Sequence, residues 1–452
     1  MSAAADELAF AGLASLSRRL RARDLSPVEL VESSLARSAA LGAPLRCFAL
    51  IAADHARAAA RAAAAEIEAG RWRGPLHGIP FGLADAIDTR AIPTALGLTA
   101  LASRTPERDA TAAARLAEQG AVLVGKLQVF PPAGVVPGAA APAASCRTPW
   151  DPRRPAGGPS PGPAAAVAAG LVPFAIAALG AEPDTAAGEC GVTALRPTYG
   201  VLSRRGAVLG SFTLAALGPV ARSAEDCAIV LDAIAGADPR DPSSVGAPPG
   251  IGRLAAELPR GLRVGVLEIP PSPREAQEAW AAAQEALRGA GAIVEPASLP
   301  ELPWAALADV LAAAEGIVVR EDVLGPAGGS LVGPTGASAA DYVRASRLRG
   351  EAQRALARLL ERHDLLLSPA PRQSTDGAAE RDPLSAAIAL GGLPALTLPI
   401  GLAGARPVAA RFVAPPLEEG RLLSAAALFQ SRSSHHLQRP PASAPIASVT
   451  PR

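Results

Sequence analysis

Apolar positions recur at helical and strand periods in alternating order, which predicts a layered α/β protein. Up to about residue 70 the period is helical. Ser26-Pro27 reads as an N-cap followed by proline at the first helical position, opening SPVELVESSLARSAAL, and an Ala-rich helix is predicted over about residues 55–69. The turn signals and short apolar run of GPLHGIPFGLADAIDT (residues 74–89) predict a strand, residues 109–118 a helix, and AVLVG (121–125) a further strand. Residues 131–149 read as loop. The run 164–181 is long and apolar, but Gly170 and Pro173 interrupt it, so a buried helix, a turn and a strand fit better than a membrane span. Beyond residue 200 the pattern predicts a helix over 223–235 capped by Ser223, strand GLRVGVLE, a helix over 273–289, strand AIVEPASLP, a long amphipathic helix over 340–363, and buried strands in DLLLSP and LGGLPALTLPIG. Residues 236–252 read as a loop between two lobes of one sheet. No repeat is present, and the Pro/Ser/Ala-rich residues 437–452 predict a disordered tail after a domain spanning residues 1–436.

Composition narrows this little but usefully. The 452 residues are 49% hydrophobic, enough to bury a large core. A net charge of +1 and 3% aromatic residues argue against nucleic-acid and anionic-membrane partners, since both the field and the stacking platforms are weak. Cys47, Cys146, Cys190 and Cys227 form no CxxC and no Cys/His ligand spacing, so a reduced, cytoplasmic protein is expected. The opening MSAAADELAF lacks a basic segment followed by an apolar one, so no signal peptide is expected. No cofactor or metal is expected either; His435-His436 stands too isolated for a metal site.

The chemistry is most informative where residues are lacking. Between Ser160 and Ser203 there is no serine, and Lys126 is the one lysine in the chain. Yet PLHGIP (75–80), ADAIDT (84–89), PWDPRR (149–154), the Gly-rich turn with AAAVAAGLVP (164–173), CGVTALRPTYG (190–200), GPVARSAEDCAIVLDAIAG (218–236) and GGLPALTLPIG appear in consistent order. In these strings the chain resembles the amidase signature family. The resemblance implies one α/β/α sandwich around a large mixed sheet. It also implies carbon–nitrogen hydrolysis by a nucleophilic serine, a second serine that relays its proton through an unusual cis peptide, and a neutral lysine as base, with backbone N–H groups as the oxyanion hole.

Carried over by position, the resemblance puts the lysine at Ala84, with Asp85 retained. The relay serine falls at Pro159, within Gly157-Gly158-Pro159-Ser160-Pro161-Gly162, and the nucleophile at Glu182 or Pro183, depending on the direction of counting. The former Gly-rich and oxyanion loops are Gly157, Gly158, Gly162, Gly180 and Ala181. A family arginine is replaced around Asp184 and Thr185, and an acidic position by Ala215. An X–Pro bond adopts cis more cheaply than others, so Gly158-Pro159 is expected to keep the family's bend without its hydroxyl. Substitute nucleophiles are Ser160, whose bland alternative is a cap or turn hydrogen bond, and Cys190, whose bland alternative is core packing. Glu182 and Asp184 would form an acid/base pair or simply be solvated. Lys126 reads as structural, and His77 as serving backbone groups of its turn. The expectation is therefore a pseudo-amidase with a ligand-binding or scaffolding role, its partners a small amide-like ligand, an active relative or a second copy. The alternatives are an active amidase with a substitute nucleophile and, ranked last, an amidotransferase A-like subunit, suggested also by residues 430–441 but needing the same triad.

Overall fold

A computed structural model describes residues 3–131, 145–180, 185–257, 259, 261–267, 273–324, 337–371 and 382–441. The chain starts with helices α1 (Ala3–Ala9), α2 (Leu13–Ala22) and α3 (Pro27–Leu45), then strand β1 (Phe48–Ile51) and α4 (Ala53–Glu68). Ser26 caps α3 as its sequence predicts, its hydroxyl accepting the Val28 N–H at 3.2 Å. There follow β2 (Pro80–Ala84), α5 (Thr111–Glu118), β3 (Val122–Leu127), β4 (Arg147–Thr148), β5 (Asp151–Pro155), α6 (Pro161–Ala168), β6 (Phe174–Leu179), α7 (Thr185–Cys190), β7 (Thr193–Arg196), β8 (Ala216–Ala221) and α8 (Ala224–Ile234). The second half holds β9 (Arg263–Leu267), α9 (Arg274–Gly289), β10 (Ile293–Ala297), α10 (Trp304–Leu324), α11 (Ala339–Leu360), β11 (Leu365–Pro369), α12 (Pro383–Gly391), β12 (Ala395–Ala403), β13 (Arg406–Val413) and α13 (Glu419–Ser431).

Eleven strands form one mixed sheet in the order β1-β3-β2-β6-β8-β7-β12-β13-β11-β9-β10, while β4 and β5 pair as a separate ribbon. The α/β sandwich expected from the sequence is therefore the observed architecture. Pairing is parallel for β3-β2-β6 and for β11-β9-β10, and antiparallel through the centre from β6 to β11. One continuous apolar layer, fed by α2, α5, α8, α9 and α13, covers one face from Leu123 on β3 to Val264 on β9. The other face is covered in two parts, by α3, α4, α6 and α7 towards β1 and by α10, α11 and α12 towards the far edge. The apolar run at 164–181 resolves into α6, a turn at Gly170 and β6, and no helix among the described residues is long and apolar enough to cross a membrane.

Three expectations change. Residues 185–190, for which the sequence pattern predicted no element, form the short helix α7, buried along its whole length. Among the described residues no peptide bond is cis, so the Gly158–Pro159 bond is trans; Gly157 and Gly158, with φ of 77° and 66°, make the bend by positive φ instead. Of the tail, residues 437–441 are described, with Arg439 lying over the Phe10 ring and the Gln438 carbonyl accepting from Arg222; the rest lies outside the described residues.

Candidate functional site

Strands β2 and β6 run parallel and adjacent, so both deliver their following loops to the same edge of the sheet, where open α/β folds place ligands. The Gly-rich turn leads into α6, which packs on β2, β6 and β8. Ser160 occupies the N-cap position of α6 but leaves the helix uncapped. Its hydroxyl donates to the Ala178 carbonyl at 2.6 Å and accepts the Ala178 N–H at 3.1 Å, fastening the turn to β6. With 2% exposure and its proton engaged by a carbonyl, Ser160 meets no acceptor in these bonds basic enough to make it a nucleophile.

The turn is wedged from two further sides. A Cβ at Gly162 would lie 2.6 Å from the Gln128 carbonyl oxygen and closer still to its nitrogen, so only glycine allows this approach. A Cβ at Gly158 would stand 3.2 Å from the Ala186 nitrogen, which puts the turn against the start of α7. Pro159 takes part through its carbonyl, which accepts the Phe130 N–H. The structure thus brings together Gly157, Gly158, Pro159, Ser160, Gly162 and Thr185, with Gly180 held nearby at the end of β6. Ala181, Glu182, Pro183 and Asp184 lie outside the described residues. Ala84 ends β2 fully buried, and its methyl belongs to the apolar layer on the α8 side of the sheet, away from the α6 layer. Ala215 is likewise buried in that layer.

Cys190 ends α7 with no exposed surface, and the Trp150 indole N–H donates to its carbonyl at 2.8 Å. Cys47 and Cys146, far apart in sequence, share its core cluster. Burial pushes the Cys47 thiol up to about 12, and burial together with its two neighbours also raises Cys146, so this is an environment for protonated, inert thiols.

Lys126 is fully buried on β3. Its ammonium donates to the Ile87 carbonyl and, at 2.9 Å, to the Thr94 hydroxyl, both in the loop after β2. Desolvation pulls its pKa down to about 8, against the opposing field of Asp85. Asp85 is itself pushed up by burial, while its carboxylate accepts the Ala95 N–H. His77 is buried, and its Nδ1 accepts the Arg73 N–H at 3.2 Å.

Two polar anchors beside the site are not evident from the sequence pattern. Arg196 donates to the Gly180 carbonyl at 2.8 Å and to the Leu214 carbonyl, tying down the end of β6; burial lowers its pKa to about 10. Arg411, 2% exposed on β13, binds Ser385 at 2.8 Å and pairs with Asp382 at the N-cap of α12. It lies two residues along the strand from Ala409, on which α7 rests through Gly188. Arg196 stands inside the string CGVTALRPTYG and was findable as a lone charge in an apolar strand; Arg411 lies on a strand the periodicity did not reveal.

The fold recurs in known proteins. The family model described as Amidase matches residues 29–325. The chain belongs to the amidase signature family. The A subunit of the Glutamyl-tRNA(Gln) amidotransferase of Chloroflexus aurantiacus (strain ATCC 29366 / DSM 635 / J-10-fl) is 34% identical over 477 residues, covering 93% of this chain and 96% of that protein. Its counterpart in Deinococcus radiodurans is 32% identical over 484 residues, covering 96% and 99%. Among solved structures, a peptide amidase in complex with the competitive inhibitor chymostatin superposes with a TM-score of 0.84 at 30% identity, covering 95% of this chain and 98% of that one. Membership of the amidase signature family thus rests on similarity over more than nine-tenths of the chain. The amidotransferase relatives also reorder the readings: the amidotransferase A-like subunit, ranked last on the sequence, is favoured by these relatives over a pseudo-amidase standing by itself.

Proposed function

We propose that this chain is an amidotransferase A-like member of the amidase signature family that does not use the family's hydroxyl chemistry. In this reading it serves an assembly with an active relative or partner subunit, holding an amide-like ligand or a neighbouring chain. The observation that carries the reading is the fate of the base. By the resemblance in PLHGIP and ADAIDT, Ala84 falls where the family has its lysine, and the one lysine of the sequence, Lys126, has its ammonium engaged by Ile87 and Thr94. Ser160, the turn's one hydroxyl, is consumed by Ala178. A hydroxyl nucleophile without a base within reach loses the cooperation of the triad, on the order of a million-fold in rate. The relatives' name, that of one subunit in an amidotransferase, supports a role within a complex.

The second reading is an active carbon–nitrogen hydrolase with another nucleophile, favoured by the 30% identity to a peptide amidase over nearly the whole chain. The deciding experiment measures ammonia release from glutamine, small amides and C-terminally amidated peptides, with Ser160→Ala and Cys190→Ala alongside. The expected result is no turnover above buffer, together with co-purification of a partner subunit or of an active relative from the native source. Turnover abolished by either variant would overturn the proposal and name the nucleophile.

A further inference from the structure

At the far end of α6 from the Gly-rich turn, three arginines converge on one aromatic ring. The guanidinium carbons of Arg439, Arg222 and Arg37 lie 4.5, 4.8 and 5.2 Å from the centroid of Phe10. The four residues come from separated parts of the chain. Phe10 follows α1, Arg37 lies on α3, Arg222 follows β8, and Arg439 belongs to the C-terminal segment. All three cations therefore sit within about 10 Å of one another, one screening length at 0.1 M salt.

Two of the three cations have a carboxylate beside them, and Arg439 has none among the described residues. Arg37, 1% exposed, pairs with Asp6 and donates to the Ala169 carbonyl just past α6. Arg222, 7% exposed, donates through one terminal nitrogen to the carbonyls of His436 and Gln438, which carry no net charge. Asp226, whose carboxylate accepts the Leu13 N–H at 2.7 Å, also acts on Arg222; burial raises its pKa to about 6, so it carries its charge near neutral pH and offsets part of that of Arg222. Arg439 is exposed and has no polar partner among the described residues beyond the ring face. His436 adds no charge near neutral pH, since burial and Arg222 lower it to about 4. A cation–π contact is worth about 0.5–2 kcal/mol, which leaves the charge of Arg439, set among two further cations, without a counter-ion.

We infer that this cluster is an oxyanion site for a phosphate group, with Arg222 and Arg439 as its principal ligands and the segment 437–441 as the strap that closes over it. Guanidinium forks match the oxygens of a dianion in pairs, and the Phe10 ring gathers all three guanidinium groups at one place. The site is separate from the loops at the other end of α6, so its occupancy stands independently of any hydrolysis there.

The test is isothermal titration calorimetry of the full chain with inorganic phosphate at constant ionic strength, repeated with phenyl phosphate and with acetate. The expected result is saturable one-to-one phosphate binding, weakened about tenfold to a hundredfold by Arg439→Ala and largely retained by Arg439→Lys. Arg439 is exposed, so these variants keep the fold, and unchanged circular dichroism and melting temperature verify it. Phenyl phosphate binding as tightly as inorganic phosphate assigns the site to the phosphoryl group of a larger molecule; tighter inorganic phosphate assigns it to the free ion. No saturable heat, equal binding of acetate, or an affinity indifferent to Arg439→Ala overturns the inference.

Discussion

Lys126 makes a pH-dependent prediction at the scale of one residue. Its folded pKa, about 8, lies below the 10.5 of a free lysine, so the unfolded chain binds more protons between those values. Stability from this residue therefore rises as pH increases from about 8 towards 10.5; below 8 the folded state bears the full cost of a buried ammonium, roughly 3 kcal/mol. The buried Cys47 and Cys146 thiols push the other way in the same window, because they stay protonated in the folded state. The readout is thus a difference. Urea denaturation of the native chain and of Lys126→Met at pH 7.5, 8.5 and 9.5 should show the native chain gaining on the variant at each step. A second residue-scale prediction concerns Ser160→Ala, which deletes both bonds to Ala178 in a buried junction and should cost about 1–3 kcal/mol in the same assay. The sequence revealed that Lys126 was alone and Ser160 was the turn's one hydroxyl. It did not reveal where their protons go, because Ile87, Thr94 and Ala178 are partners made by the loop path and by sheet pairing.

Among the elements, α6 has its position set by glycine. Gly162→Ala would drive a methyl to within 2.6 Å of the Gln128 carbonyl oxygen and closer still to the nitrogen, with backbone on both sides and nothing flexible to yield. It should cost at least about 3 kcal/mol, at or beyond the upper end of ordinary overpacking. Gly404→Ala, at φ of 60° in open space, should cost only about 1 kcal/mol. Denaturation midpoints of the two variants make the comparison. Strong local signals made most elements legible: caps at Ser26 and Ser223, the period of α11, the apolar runs of β3 and β9. The elements without such signals were missed. Helix α10 is apolar nearly all round, α7 has only six residues, and α12, β13 and α13 are joined to their chain neighbours by short connections that blur the period.

For the molecule as a whole, the apolar layer running unbroken from β3 to β9 joins the two halves into one cooperative unit. Trp72 and Trp150 report on the first half and Trp280 and Trp304 on the second. Variants keeping one tryptophan from each half should unfold in urea with coincident midpoints, and a separation of the two curves would refute a single unit. The sandwich itself was legible because family strings run in order along the whole chain. The order of strands across the sheet was not, since β12 reaches β7 through contacts that no local pattern encodes. The ends of that order have a consequence for behaviour in concentrated solution. An open sheet of eleven strands offers two rows of unpaired backbone groups, each a template on which another chain can stack. At one end stands β1, four residues long; at the other stands β10, where Ile293 is half exposed and Pro296 has no N–H to offer. A short strand and an imino acid act as terminators, and so large a sheet stays finite.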